Sequence, residues 1–103
     1  MNLTTGRPDV APQPQIAAPK LSRTLRAAHL PAELRSQIPL SDKQLDVMLL
    51  TRAGLDAKSI GRVLGMSGRT ADTHRGNVRK VFGDASTIAI VLMLDRLLHK
   101  EGL

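Results

Sequence analysis

Apolar side chains recur three and four residues apart over most of the second half of the chain. That is the period of helices with one buried face. Leu45, Met48 and Leu49 form one such stripe, and Ala57, Ile60, Val63 and Leu64 form a second. Ala71, His74, Val78, Val81 and Phe82 form a third. The fourth segment differs, because Ile88 to Leu94 is apolar at every position. No stretch carries a convincing strand pattern.

Local signals set the ends of these helices. Ser41-Asp42-Lys43-Gln44 reads as a capping box, with Ser41 accepting from the third amide and Gln44 reaching back. Leu40 and Leu45 fit a hydrophobic staple around it. Gly54 stops this first helix, and Asp56 is a good N-cap for the second, which Gly65 ends. Ser67 caps a third helix over about 68–82, terminated by Gly83, and Ser86 caps a fourth that runs to about Leu98. The expected fold class is all-α, a four-helix domain over residues 40–103.

The first part of the chain reads differently. All six prolines lie at or before Pro39. Residues 1–19 hold four of them and few large apolar side chains, so they cannot repay the entropy of ordering and are expected to be a flexible tail. Residues 20–39 are expected to be a short helical extension. Within it Ser22–Leu30 predicts a short helix with Leu21, Leu25 and Ala28 on one face, interrupted by Pro31. The stretch PAELRSQI predicts another, with proline tolerated in its first turn.

Composition narrows the function. The 103 residues make one small domain, and with Phe82 as the single aromatic residue its core must be aliphatic. There is no cysteine, hence no disulfide and no thiolate metal site. The N-terminus lacks the apolar core of a signal peptide, and the longest apolar run has seven residues against the roughly 20 that span a bilayer. A cytoplasmic location and no membrane partner are expected. The net charge of +6 favours a polyanion. Between Arg52 and Lys80 there are seven basic residues and two acids, so the charge is concentrated around the second and third helices.

Those two helices are separated by a few residues only. A turn that tight needs one residue free to take positive φ, which Gly65 supplies, and a small residue such as Gly61 lets the third helix pack close. The spacing of Ile60, Gly61, Leu64, Gly65, Met66 and Ser67 is a helix-turn-helix signal. The third helix has one apolar stripe. Its opposite face, with Arg69, Asp72, Arg75, Gly76 and Arg79, is free to enter a major groove.

On these residues, 40–98 resembles the DNA-binding domain of the LuxR/GerE family of bacterial transcription regulators. Leu40-Ser41, Gly54-Leu55, Lys58, Ile60, Leu64-Gly65-Met66-Ser67, Thr70, His74, Val78 and Gly83 carry the resemblance. It implies four helices, the third placed in the major groove and the fourth used for dimerisation. The chain departs from the family at Ser59, usually Glu, at Ala71, usually Val, and at Asp84, usually apolar. Asp72 and Gly76 stand where family members often carry basic or polar side chains that touch bases.

The candidate DNA-binding residues are therefore Ser67, Arg69, Thr70, Asp72, Thr73, Arg75, Gly76, Arg79 and Lys80. Arg79 and Lys80 are expected on phosphates, and Arg69 and Arg75 on bases or phosphates. Ser67 and Thr70 sit at the helix start, where free amides suit a phosphate. Asp72 has three readings: an acceptor for cytosine N4, a favourable charge near the helix N-terminus, or a partner for Arg69 or Arg75. Gly76 admits either DNA or a neighbouring helix. His74 is read as a packed residue rather than a ligand, and His29 and His99 are too isolated to form a metal site.

A helix apolar all round has a second face to bury. Ile88, Val91, Leu92 and Asp95 are the candidate homodimer interface; the alternative cover is the N-terminal segment, through Leu21, Leu25, Leu34 or Ile38. No catalytic constellation, metal cluster or phosphate loop is visible, so no enzyme and no cofactor are expected. The expected function is a small stand-alone regulator that binds double-stranded DNA as a dimer. The rivals are a helix-turn-helix-like module that binds RNA polymerase, a sigma factor or another regulator, and a DNA-binding protein without sequence preference.

Overall fold

The computed structural model describes residues 25–103, so the expected tail over 1–19, and Leu21 with it, lies outside the described residues. The described part is all-helical. A single 3-10 turn, Ala27–His29, leads to α1 (Ala32–Ser36), α2 (Asp42–Arg52), α3 (Ala57–Leu64), α4 (Gly68–Val81) and α5 (Thr87–Lys100).

Each main helix starts where a side chain satisfies its free amides. Ser41 Oγ accepts from the Gln44 amide at 3.1 Å, and Gln44 Oε1 accepts from the Ser41 amide at 3.0 Å. Asp56 caps α3 through the Ser59 amide at 2.8 Å, Ser67 caps α4 through Thr70 at 3.0 Å, and Ser86 caps α5 through Ala89 at 3.1 Å. The Asp56 carboxyl is held below the usual carboxylate range, first by the Ser59 amide, then by the Ser59 hydroxyl, with smaller help from Arg62 and Lys58.

That direction fixes a pH dependence. A carboxyl that loses its proton more readily when folded stabilises α3 at pH values above its unfolded pKa. The contribution disappears as pH falls through the lower, folded pKa. Asp56→Ala is expected to lower the thermal midpoint at pH 7, with the gap to the parent closing as both are acidified past the carboxylate range. A gap that stays constant down to the acid limit would show that the ionised cap is not its source.

α2 is the centre of the fold, and it is buried on two sides. Leu45, Met48 and Leu49 join Leu40, Val78, Ile90, Leu94 and Leu98 in the larger apolar cluster. Val47 and Leu50, on its other side, join Ile60 and Ala71 in a second cluster under the α3–α4 corner. The apolar run Val47 to Leu50 serves both.

The N-terminal segment belongs to the larger cluster. Ala27, Leu30, Leu34 and Ile38 are buried in it, with Leu25 packed alongside. The Ala27 amide donates to Asp46 Oδ1 at 2.6 Å, and Arg35 donates to the Ile38 and Leu40 carbonyls at 3.1 and 2.7 Å. The helix expected over Ser22–Leu30 is only the 3-10 turn among the described residues. Arg26 is extended before it, and Leu30 is extended after it because Pro31 disfavours helix in the residue it follows. Register therefore buries Ala27 and leaves Ala28 exposed, contrary to the expected face.

Two other expected core positions are corrected. Val81 is 47% exposed, because it is rotated about 60° from Val78, while Phe82, about 40° the other way, packs against the larger cluster. Val63 is 42% exposed, since α3 buries the side defined by Ile60 and Gly61.

Candidate nucleic-acid interface

The α3–α4 corner positions the candidate site. α3 ends at Gly65, whose φ of 71° and ψ of 37° lie in the left-handed region that residues with a side chain rarely adopt. The Gly61 carbonyl accepts from the amides of Gly65 and Met66, the second at 2.9 Å. Gly61 has no room for a side chain, since a Cβ would collide with the Met66 carbonyl oxygen and fall 3.1 Å from the Ser67 carbonyl carbon. Gly68 meets α3 in the same way, with its Cβ position 3.3 Å from Lys58 Cα. The sequence reading passed over Gly68. The signal is a glycine directly after a cap, where helix formation alone does not require one.

The corner carries α4 with Ala71 and Val78 turned inward, both fully buried. At 3.6 residues per turn, Arg69, Asp72, Thr73, Gly76 and Lys80 share a sector of about 100° on the outer side. Arg69, Asp72, Thr73 and Lys80 are exposed there. Arg75 and Arg79 lie on the flank nearer the core. Arg75 donates to Asp72 Oδ1 at 2.6 Å, an i,i+3 pair, so of the carboxylate's three readings the pairing one is present in the folded chain. Arg79 Nε donates to the Ala85 carbonyl at 3.1 Å and braces the turn into α5. In that turn Asp84 holds a φ of 64°, and its amide donates to the Arg79 carbonyl at 2.7 Å.

At the start of α4 one hydroxyl donates to the other. Ser67 Oγ donates to Thr70 Oγ1 at 2.9 Å while it caps the Thr70 amide. Thr73 Oγ1 donates to the Arg69 carbonyl at 3.0 Å. His74 is half-buried. Among the described residues no other element comes within 4 Å of the Gly76 Cβ position, so none of the described helices accounts for it.

The remaining expected residues lie elsewhere. Arg52, first of the basic run, pairs with Asp95 of α5 at 2.8 Å. Ile88 and Leu92 are 73% and 54% exposed, Asp95 is exposed, and Val91 packs against the larger cluster. Among the described residues no helix is long and apolar enough to cross a membrane, and no group of acidic, His or Cys side chains could hold a metal ion.

A short helix and a longer one that meet at a glycine corner, the second anchored on the core, define a helix-turn-helix module. The sequence profile of the bacterial regulatory proteins, luxR family, matches residues 38–94, and the chain belongs to that family. It is similar to the transcriptional regulatory protein MctR of Rhizobium johnstonii, with 36% identity over 53 residues, 52% of this chain and 25% of that protein. The chain thus spans about a quarter of that relative's length. No solved structure matches it.

Proposed function

We propose that this chain is a DNA-binding transcription regulator that reads a duplex with α4 in the major groove. The observation that carries this reading is the outer sector of α4. It presents Arg69, Asp72, Thr73, Gly76 and Lys80 on a helix whose other side is anchored by buried Ala71 and Val78. Arg75 and Arg79 add cationic flanks, and Ser67 and Thr70 bring the amide end of α4 to the backbone of the duplex. Two copies, paired through Ile88, Val91, Leu92 and Asp95 of α5, would set two such helices about one DNA turn apart. The 73% exposure of Ile88 supports that pairing, and it equally favours a contact with polymerase or another regulator.

The test is selection of bound duplexes from a random pool, followed by affinity measurements at two salt concentrations. Enrichment of a two-fold symmetric site, bound far more tightly than its scramble, is expected. Lys80 stands outside every ion pair among the described residues, so Lys80→Gln should reduce the slope of log affinity against log salt by about 0.9. The site selected by Asp72→Asn should match the parent's, since the carboxylate is engaged by Arg75. No enrichment from the pool would overturn the reading. An unaltered salt slope would remove Lys80 from the interface.

A further inference from the structure

Gly76 sits in the middle of α4, where glycine costs roughly 1 kcal/mol against alanine. Nothing among the described residues asks for it. Its backbone is ordinary helix, and among the described residues a Cβ would meet no atom within 4 Å beyond the helix's own adjoining backbone. A glycine that the fold neither needs nor favours leaves room for something outside the chain. Its place is the centre of the outer sector of α4, one turn from Asp72 and Thr73 on one side and from Lys80 on the other.

The chemistry of that gap is apolar. The Gly76 backbone lies within the helical hydrogen-bond ladder and offers a bare Cα. The Thr73 hydroxyl gives its proton to the Arg69 carbonyl, which leaves Thr73 its methyl group and an oxygen that can only accept. At the bare Cα itself a polar base edge finds no hydrogen-bond partner. Of the groups that base pairs display in the major groove, the one apolar group is the C5-methyl of thymine.

We propose that Gly76 makes a notch in α4 that seats a thymine methyl group, so that this glycine selects a T·A pair by letting the helix approach it closely. The inference rests on the DNA-binding reading above and adds to it the base that this part of the helix prefers.

The experiment uses the full chain and its selected duplex, with each thymine of a half-site replaced in turn by deoxyuridine. That exchange removes the methyl group and nothing else. One position is expected to lose binding roughly fourfold, the worth of one buried methyl. Gly76→Ala is expected to denature at a higher temperature than the parent and to bind the thymine duplex about tenfold more weakly, because the added methyl occupies the notch. It should also stop distinguishing thymine from uracil at that position. A parent chain indifferent to every uracil would overturn the proposal. So would a Gly76→Ala chain that binds as tightly with the same thymine preference, or one that denatures at a lower temperature. If the parent prefers no duplex at all, the DNA-binding reading fails and the notch with it. Preference without methyl sensitivity removes the notch alone.

Discussion

Gly61→Ala is expected to lower folding stability by about 2–3 kcal/mol, and Gly61→Val to abolish the cooperative transition at room temperature. The usual sign of the substitution is the opposite, since alanine in mid-helix is worth up to about 1 kcal/mol over glycine. Space decides the outcome here. The new methyl would strike the Met66 carbonyl oxygen and stand 3.1 Å from the Ser67 carbonyl carbon and 3.2 Å from the Gly68 amide nitrogen. All three atoms are backbone, so no flexible side chain can swing aside. The same turn is held by the Gly61 carbonyl, which accepts the Met66 amide at 2.9 Å, so a shift that relieves the clash also breaks the corner. Because that corner sets the angle of α4, DNA affinity should fall further than the unfolded fraction accounts for. Thermal denaturation and duplex titration of the same sample measure both. A Gly61→Ala chain as stable as the parent would show that α3 and α4 approach less closely than the structure has them.

The contrast between Gly61 and Gly76 shows which parts of this protein a sequence discloses. Ser41, Asp56, Ser67 and Ser86 all cap the helices expected of them, because a cap is a contract between residues three apart. Asp72 with Arg75 is legible for the same reason. The pair Arg52–Asp95 joins residues 43 positions apart, and no local pattern announces it. Burial on both sides of α2 was hidden likewise. Leu45, Met48 and Leu49 suffice as one stripe, and Val47 and Leu50 gain a purpose only once α3 and α4 fold over them. In the candidate site, the outward residues of α4 follow from helical period. What they are already bonded to does not, as Arg79 on the Ala85 carbonyl illustrates.

The other large effect is expected far from that face. Leu34→Ala should lower the stability of the whole chain by about 2–5 kcal/mol, in a single transition. Leu34 is 1% exposed although it lies on a helix of only five residues, and it shares a cluster with Met48, Leu94 and Leu98. A five-residue helix has no stability of its own, so what holds α1 in place is this burial. Around it the Ala27 amide is bonded to Asp46, and Arg35 braces the Leu40 carbonyl and pairs with Asp42 at 2.8 Å. If the segment were an appendage docked independently, Leu34→Ala would release it and leave the main denaturation transition where it was. Ile88→Ala is the control, since a side chain 73% exposed should change stability little. The same reasoning applies to a chain that starts at Leu40. It would lose Ala27, Leu30, Leu34 and Ile38 from the larger cluster, open its remaining apolar side chains to water, and should sediment as larger assemblies than the full chain does.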